Sequence, residues 1–252
     1  MDHHNEFKVG IILAGCGAAA DGSEIHEATL TMLALSQRGI HYQVFAPNID
    51  QYDVVNHING ETLDEQSTST NTTPNHTSHR KVLIESARIA RGYIKPLSAA
   101  DANELDGLII PGGLGVTKNL CNYYKLTATA QLENIEGEIN KDHFQIVPEL
   151  EQLIKKIHKL HKPLGFLCIA SIILPKLFGE GVRATLGSKS EDARAFSKMG
   201  GDHLECAVEH IVYDESLKII STPAYKTAQT IAQAYQGIDR LVEKMHELLQ
   251  QA

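Results

Sequence analysis

A chain of 252 residues, 42% hydrophobic and 21% charged, is long enough to bury a substantial core. Its formal net charge of −8 leaves no basic face for gathering phosphates, so neither nucleic acid nor an anionic membrane surface is expected as a partner. Cys16, Cys121, Cys168 and Cys206 stand far apart without a C-x-x-C pair, which suits reduced thiols and argues against disulfides and a zinc site.

The first residues, Met1 to Glu6, are polar and the run Val9 to Ala14 is only strand-length, so neither a signal peptide nor a membrane span is expected and the cytoplasm is the expected compartment. Lys8 to Ala14 shows almost no alternation, as in the central strand of a parallel sheet covered on both faces. Gly15-Cys16-Gly17-Ala18-Ala19-Ala20 and Asp21-Gly22-Ser23 follow. From Glu24 to Arg38, Ile25, Ala28, Leu30, Met32, Leu33 and Leu35 predict a helix that Gly39 stops, with Asp21 or Ser23 as its N-cap. Tyr42 to Pro47 reads as a second strand, and the βαβ alternation predicts a flavodoxin-like, doubly wound, mostly parallel α/β sheet flanked by helices.

Asp53 to Glu65 has a mixed pattern, whereas Gln66 to Arg80 is polar without an apolar period and reads as a solvated loop. Its N-x-T matches at Asn71 and Asn75 are read as accidental. A helix is expected over Val82 to Ala90, an extended piece over Gly92 to Pro96, a short helix over Ala99 to Glu104, and a third buried strand from Leu105 into Pro111-Gly112-Gly113. Leu126 to Gln145 is acidic and loosely patterned, while Leu150, Leu153, Ile154, Ile157 and Leu160 predict a helix over Pro148 to His161. Lys162 to Pro175 reads as a strand, a thiol and a helix ending near Phe178-Gly179. A short strand over Ala184 to Gly187, a helix over Glu191 to Met199, an extended start at His203, an antiparallel pair from Ile211-Val212-Tyr213 and Lys218 to Thr222, and a long helix over Thr227 to Leu249 complete the chain. No repeat and no sharp boundary divides it, so a single domain over 1–252 is expected.

The chemistry centres on Cys168. A cysteine in an apolar run is commonly an inert core thiol. Here it ends a strand where a helix starts, a corner that raises the side chain above the sheet edge and favours the thiolate. Glu24 and Glu27 share a face at the start of the first helix; taken alone they complement its dipole. Loops following parallel strands open on one sheet edge, so Glu24, Glu27, Gly112, Gly113 and Cys168 converge there. The match of Gly15 to Ala20 to G-x-G-x-x-A does not support dinucleotide binding, because Asp21-Gly22-Ser23 delays the helix and Ala46-Pro47-Asn48 offers no acidic residue for a ribose.

Together, Gly15-Cys16-Gly17, Asp21-Gly22-Ser23-Glu24-Ile25-His26-Glu27-Ala28, Pro111-Gly112-Gly113-Leu114-Gly115, Lys118-Asn119-Leu120, Lys162 through Ala170 and Thr222-Pro223-Ala224-Tyr225 resemble the ElbB, or enhancing lycopene biosynthesis, branch of the ThiJ/PfpI superfamily. That superfamily shares its fold with class I glutamine amidotransferases. The resemblance runs from Lys8 to about Leu249, and it marks the polar loop as an insertion. It implies a homodimer, no cofactor and no metal, and glutathione-independent conversion of glyoxal, a small dicarbonyl, to glycolate. Cys168 would be the nucleophile, Gly113 and Ile169 would supply backbone N–H groups to an oxyanion beside Gly112, and Glu27, in preference to Glu24, would be the acid, hydrogen-bonding the thiolate in its protonated form.

The chain departs from other superfamily members in having Ile169 after the cysteine and Leu186-Gly187-Ser188 where a facing residue is expected. No matching position then supports a Cys-His-Glu relay, and glutamine hydrolysis and peptidase action are not expected; His203 and His210 have no assigned place. A second reading of a reactive Cys168 is a redox-responsive or scaffolding protein whose oxidised thiol changes a partner surface. The isoprenoid phenotype in the branch's name has no counterpart among these residues.

Overall fold

The computed structural model describes residues 7–17, 20–62, 80–132, 139 and 141–251. The polar loop, apart from Arg80, and both N-x-T sites lie outside them. Nine short strands and seven α-helices alternate in these segments: β1 (Lys8–Ile12), α1 (Ile25–Gln37), β2 (His41–Ala46), α2 (Val82–Ile89), β3 (Ile94–Pro96), β4 (Gly107–Ile110), α3 (Tyr123–Leu132), α4 (Pro148–Lys159), β5 (Leu164–Leu167), α5 (Leu174–Phe178), β6 (Arg183–Ala184), α6 (Glu191–Lys198), β7 (Asp202–His203), β8 (Val212–Asp214), β9 (Ile219–Thr222) and α7 (Ile231–Gln250).

Seven strands form one sheet in the order β3-β2-β1-β4-β5-β9-β8, while β6 and β7 pair separately. All neighbours in the large sheet are parallel except β8 and β9, whose antiparallel register pairs Tyr213 with Ile220. The expected α/β architecture is present. Ile11, Ile12, Leu108, Ile109, Ile110, Leu164 and Phe166 are essentially inaccessible to water, which explains why these strands read as continuous apolar runs. Helices cover both faces. On α4, Leu150, Leu153, Ile154 and Ile157 are buried at i, i+3, i+4 and i+7, each contributing about 1.5–3 kcal/mol. Gly165 lets α7 approach β5 closely, since a Cβ there would lie 3.0 Å from Leu241 Cδ2 and 3.1 Å from Ile109 Cγ1.

Several expected boundaries shift. Helix α1 is capped by Glu24, whose Oε2 accepts from the Glu27 N–H at 2.7 Å, rather than by Asp21 or Ser23. Those two side chains are drawn into the core side of the loop: Ser23 Oγ accepts from Ala14 N at 2.8 Å, and Asp21 accepts from Val55 N at 2.8 Å. The short helix expected over Ala99 to Glu104 is a 3₁₀ turn at Leu97–Ala99. Leu114 to Tyr124 contains a π-helical turn, Val116–Leu120, and leads into α3. The helix expected directly at Cys168 is a 3₁₀ turn, Cys168–Ile173, before α5, and α7 starts four residues later than Thr227, after the 3₁₀ turn Ala224–Lys226. Among the described residues no helix is long and apolar enough to cross a membrane.

Candidate functional site

The chain leaves β1 towards β2 and β3 on one side of the sheet and resumes with β4 on the other, so a topological switch point falls between β1 and β4. Crevices at such points collect loops from several strand ends. Here the segments following β1, β4, β5 and β9 meet at one edge. Gly112 joins the first two: its C=O accepts from Glu24 N at 2.9 Å, and its N–H donates to Glu27 Oε2 at 2.7 Å. The other carboxylate oxygen, Oε1, accepts from Tyr225 N at 3.1 Å, which ties in the segment after β9.

Cys168 follows β5 with φ = 55°, a left-handed conformation that costs a residue bearing a side chain roughly 1–3 kcal/mol. The strand-to-turn corner expected from the sequence is therefore present, and it is strained. The Cys168 thiol and the Glu27 carboxylate both pack against Gly112, and the backbone N–H groups of Gly113 and Ile169 favour charge on the sulfur. Gly112 admits no side chain, because a Cβ would lie 2.5 Å from Cys168 Cβ and 2.8 Å from Glu27 Oε2. The close packing of these groups shuts water out: Cys168 is 7% exposed and Glu27 0%.

Burial governs the proton inventory. Desolvation raises Glu27 to about 7 against the downward pull of the Tyr225 N–H, with the nearby Glu24 charge adding to the rise. The Cys168 thiol is raised well above its ordinary value, first by burial and then by the Glu27 charge, while Lys226 and the two backbone N–H groups oppose the rise. The expected thiolate is thus replaced by a thiol. A six-residue 3₁₀ turn and two N–H groups do not offset the loss of water around the sulfur. Glu27 is the group that ionises first, so the pair is a carboxylate beside a thiol, where the sequence leads one to expect a protonated Glu27 beside a thiolate.

Of the residues singled out in the sequence, Cys168, Glu27, Gly112, Gly113 and Ile169 come together. Glu24 lies beside them, but its carboxylate is engaged as the α1 cap. Cys16 lies in the loop after β1, and the delay of α1 until Ile25 leaves Gly15, Cys16 and Gly17 outside any helix start. His203 is on β7, and His210 precedes β8 with its ring 3.9 Å from Glu209. His26 is the histidine adjoining Glu27 in sequence; its Nδ1 is 2.8 Å from the Tyr225 hydroxyl on the exposed side of α1. The sequence reading missed the work of Tyr225 and Lys226. Their signal was their place just after a buried strand, Ile219–Thr222, of the same sheet.

Lys118 and Asn119 tie the π-helical turn to this edge. Lys118 Nζ donates to Ala20 O at 2.8 Å and pairs with Asp53 at 2.9 Å, lying 4.4 Å from the Tyr124 ring centroid. Asn119 Nδ2 donates to Ala14 O at 2.9 Å and Asp21 O at 3.1 Å. Among the described residues, no group of three His, Cys, Asp or Glu side chains is placed to hold a metal ion.

The chain is similar to the mitochondrial ES1 protein homolog of Rattus norvegicus, with 33% identity over 250 residues, 96% of this chain and 84% of the rat protein. It is equally similar, at 33% identity over 96% of its length and 83% of the relative, to the mitochondrial glutamine amidotransferase-like class 1 domain-containing protein 3 of Homo sapiens. Among solved structures, an isoprenoid biosynthesis protein with an amidotransferase-like domain from Ehrlichia chaffeensis matches with a TM-score of 0.78 and 32% identity, covering 96% of this chain and 99% of that one. Glyoxalase III of Candida albicans matches with a TM-score of 0.52 over 95% of this chain and 97% of that one; at 12% identity the likeness is one of fold. No family model matches the chain. The class I glutamine amidotransferase-like fold expected from the motifs is thus present, whereas the mitochondrial relatives give no support to a cytoplasmic location.

Proposed function

The chain belongs to the ES1 family of class I glutamine amidotransferase-like proteins, and from that premise we propose that it is a cofactor-independent glyoxalase of the ElbB type, converting glyoxal to glycolate. The observation that carries this reading is the buried Cys168–Glu27 pair packed against Gly112, with the Gly113 and Ile169 N–H groups favouring charge on the sulfur. The Candida glyoxalase III, which shares the fold, is consistent with it.

In the proposed reaction the Cys168 sulfur attacks one aldehyde carbon as its proton passes to the Glu27 carboxylate. An S–C bond forms, and the carbonyl π pair becomes an alkoxide facing the Gly113 and Ile169 N–H groups. Glu27 returns the proton to that oxygen, giving a hemithioacetal, then removes the hydrogen from the same carbon and delivers it to the neighbouring carbon. The hydroxyl proton moves to the second oxygen. The product is a hydroxyacetyl thioester, which water opens to glycolate with release of the thiol. Glyoxal and water supply every atom of the product, and no external oxidant or reductant enters.

The test is glycolate formation from glyoxal by pure protein without glutathione or added metal. Thiol-dependent turnover that Cys168→Ser abolishes is expected; full turnover by Cys168→Ser, or none by the intact protein, overturns the proposal.

A further inference from the structure

A single residue in the turn after β9 reaches α1 twice. The Tyr225 N–H donates to Glu27 Oε1 at 3.1 Å, and the Tyr225 hydroxyl lies 2.8 Å from Nδ1 of His26, the neighbouring residue of the same helix, with the two ring centroids 5.7 Å apart. The first contact is inside the site, where Glu27 is fully buried, and the second is on the exposed side of α1. The backbone that aims the N–H is strained. Ala224 is 0% exposed and has φ = 45°, in the left-handed region that a side chain disfavours. Among the described residues five non-glycine residues have positive φ: Arg91, His161, Cys168, Lys218 and Ala224. Of these, Cys168 and Ala224 are the buried ones, and they follow β5 and β9, neighbouring parallel strands that pair Leu167 with Thr222.

The bland account is a pair of hydrogen bonds that tie the turn to α1 for stability alone. A tie of that kind needs no left-handed alanine in the core, since a tyrosine and a histidine at the surface can meet from a relaxed turn. The strain falls one residue before the N–H that meets the carboxylate, and strained backbone held by its surroundings gathers where geometry serves chemistry. The Gly112 N–H holds the second carboxylate oxygen at 2.7 Å, so each oxygen of Glu27 has a backbone donor from a different strand end. We propose that Tyr225 is a positioning residue: with its N–H turned by Ala224 and its hydroxyl anchored on His26, it fixes the Glu27 carboxylate for proton transfer. This inference rests on Glu27 as the base of the proposed reaction and names what orients it. The phenol serves in its neutral form, since burial and the Glu24 and Glu27 charges raise Tyr225 above its ordinary value. Glu24 and Cys168 are titratable groups that also act on Glu27.

The test reads Glu27 directly and requires no turnover. Protein with isotopically labelled glutamate carboxyls is titrated by NMR, the Glu27 signal being assigned by its loss in Glu27→Gln. A hydrogen bond to the carboxylate favours its ionised form, so loosening that bond raises the midpoint. Tyr225→Phe, which removes the hydroxyl and keeps the N–H, is expected to raise the Glu27 midpoint by about half a unit. His26→Ala should raise it equally, the double variant should add nothing because one contact is lost in all three, and His26→Asn, whose amide can still bond the hydroxyl, should recover part of the shift. Ala224→Val, with a branched side chain that the left-handed region tolerates least, should raise it further than Ala224→Gly, which enters that region freely. A midpoint unchanged in Tyr225→Phe and His26→Ala, or shifts that add in the double variant, overturn the inference even if glyoxal is turned over. In glyoxal turnover, Tyr225→Phe should lower kcat by about tenfold with KM little altered; a loss confined to KM overturns the inference as well. A midpoint that moves in a protein inert towards glyoxal upholds the positioning role and overturns the glyoxalase reading alone.

Discussion

Cys168 and Glu27 pack against the same glycine, Gly112, and both are buried, although 140 residues separate them in the chain. The carboxylate is fixed from its other sides by the N–H groups of Gly112 and Tyr225. The carboxylate is thus held beside the thiol, and each protonation state of the pair has a separate consequence.

The first concerns rate. With Glu27 raised to about 7 and the thiol well above its ordinary value, the competent state has Glu27 ionised. The proposed glyoxal turnover, measured as kcat/KM, should rise with pH to a plateau, with a midpoint close to 7. Glu27→Gln should lower it by roughly 10²–10⁴-fold and remove that midpoint. A profile that is flat from pH 5 to 9 would show that Glu27 is not the base.

Stability should move in the opposite direction. The folded protein holds Glu27 at about 7 against an ordinary 4.5, so the native state binds the proton more tightly than the unfolded chain. The contribution is fully present below pH 4.5 and is lost as pH rises through 7, amounting to about 3 kcal/mol once Glu27 is ionised in both states. Urea midpoints at pH 5.5 and 8 should show this loss in the native sequence and a smaller difference in Glu27→Ala. An equal pH dependence in the two proteins would contradict the assignment.

Gly112→Ala tests the packing. Its methyl would stand 2.5 Å from Cys168 Cβ, 2.8 Å from Glu27 Oε2 and 3.0 Å from Leu167 O, so the thiol and carboxylate must separate. Overpacking of this kind costs about 1–3 kcal/mol. Glyoxal turnover should fall by about 100-fold or more, as expected of an ångström-scale displacement of reacting groups. Retention of turnover with an unchanged melting temperature would show that the wedge is not needed.

Lys118→Met tests the support behind the site. The Lys118 side chain is 4% exposed and its partner Asp53 14%, and the substitution leaves that carboxylate buried without its cation. A loss of about 3 kcal/mol is expected by denaturant titration, and the double variant Lys118→Met, Asp53→Leu should recover part of it. No loss in the single variant would mean that water or another group compensates Asp53 in solution.

The strands were legible because a sheet covered on both faces demands apolar residues at every position, and the runs from Val9, Leu108 and Leu164 supply them. Helix α4 was legible because one face alone is buried. The motifs around Cys168 marked the corner, and the rule that loops after parallel strands share an edge brought Glu27 and Gly112 to it. The cap was misplaced because Asp21, Ser23 and Glu24 all suit a helix start. The choice among them depends on Ala14, Val55 and Gly112, which come from other segments.

The sequence by itself determined the alternation of buried strands and amphipathic helices and the corner that carries Cys168, since both follow from local pattern. Tertiary structure alone decided the state of that cysteine. A helix start argued for a thiolate, but desolvation and the charge of Glu27, 141 positions away in the chain, act through space, and they favour the proton on sulfur. The same holds for Tyr225, whose N–H reaches Glu27 only when β9 pairs with β5 and sets the turn after it against the site.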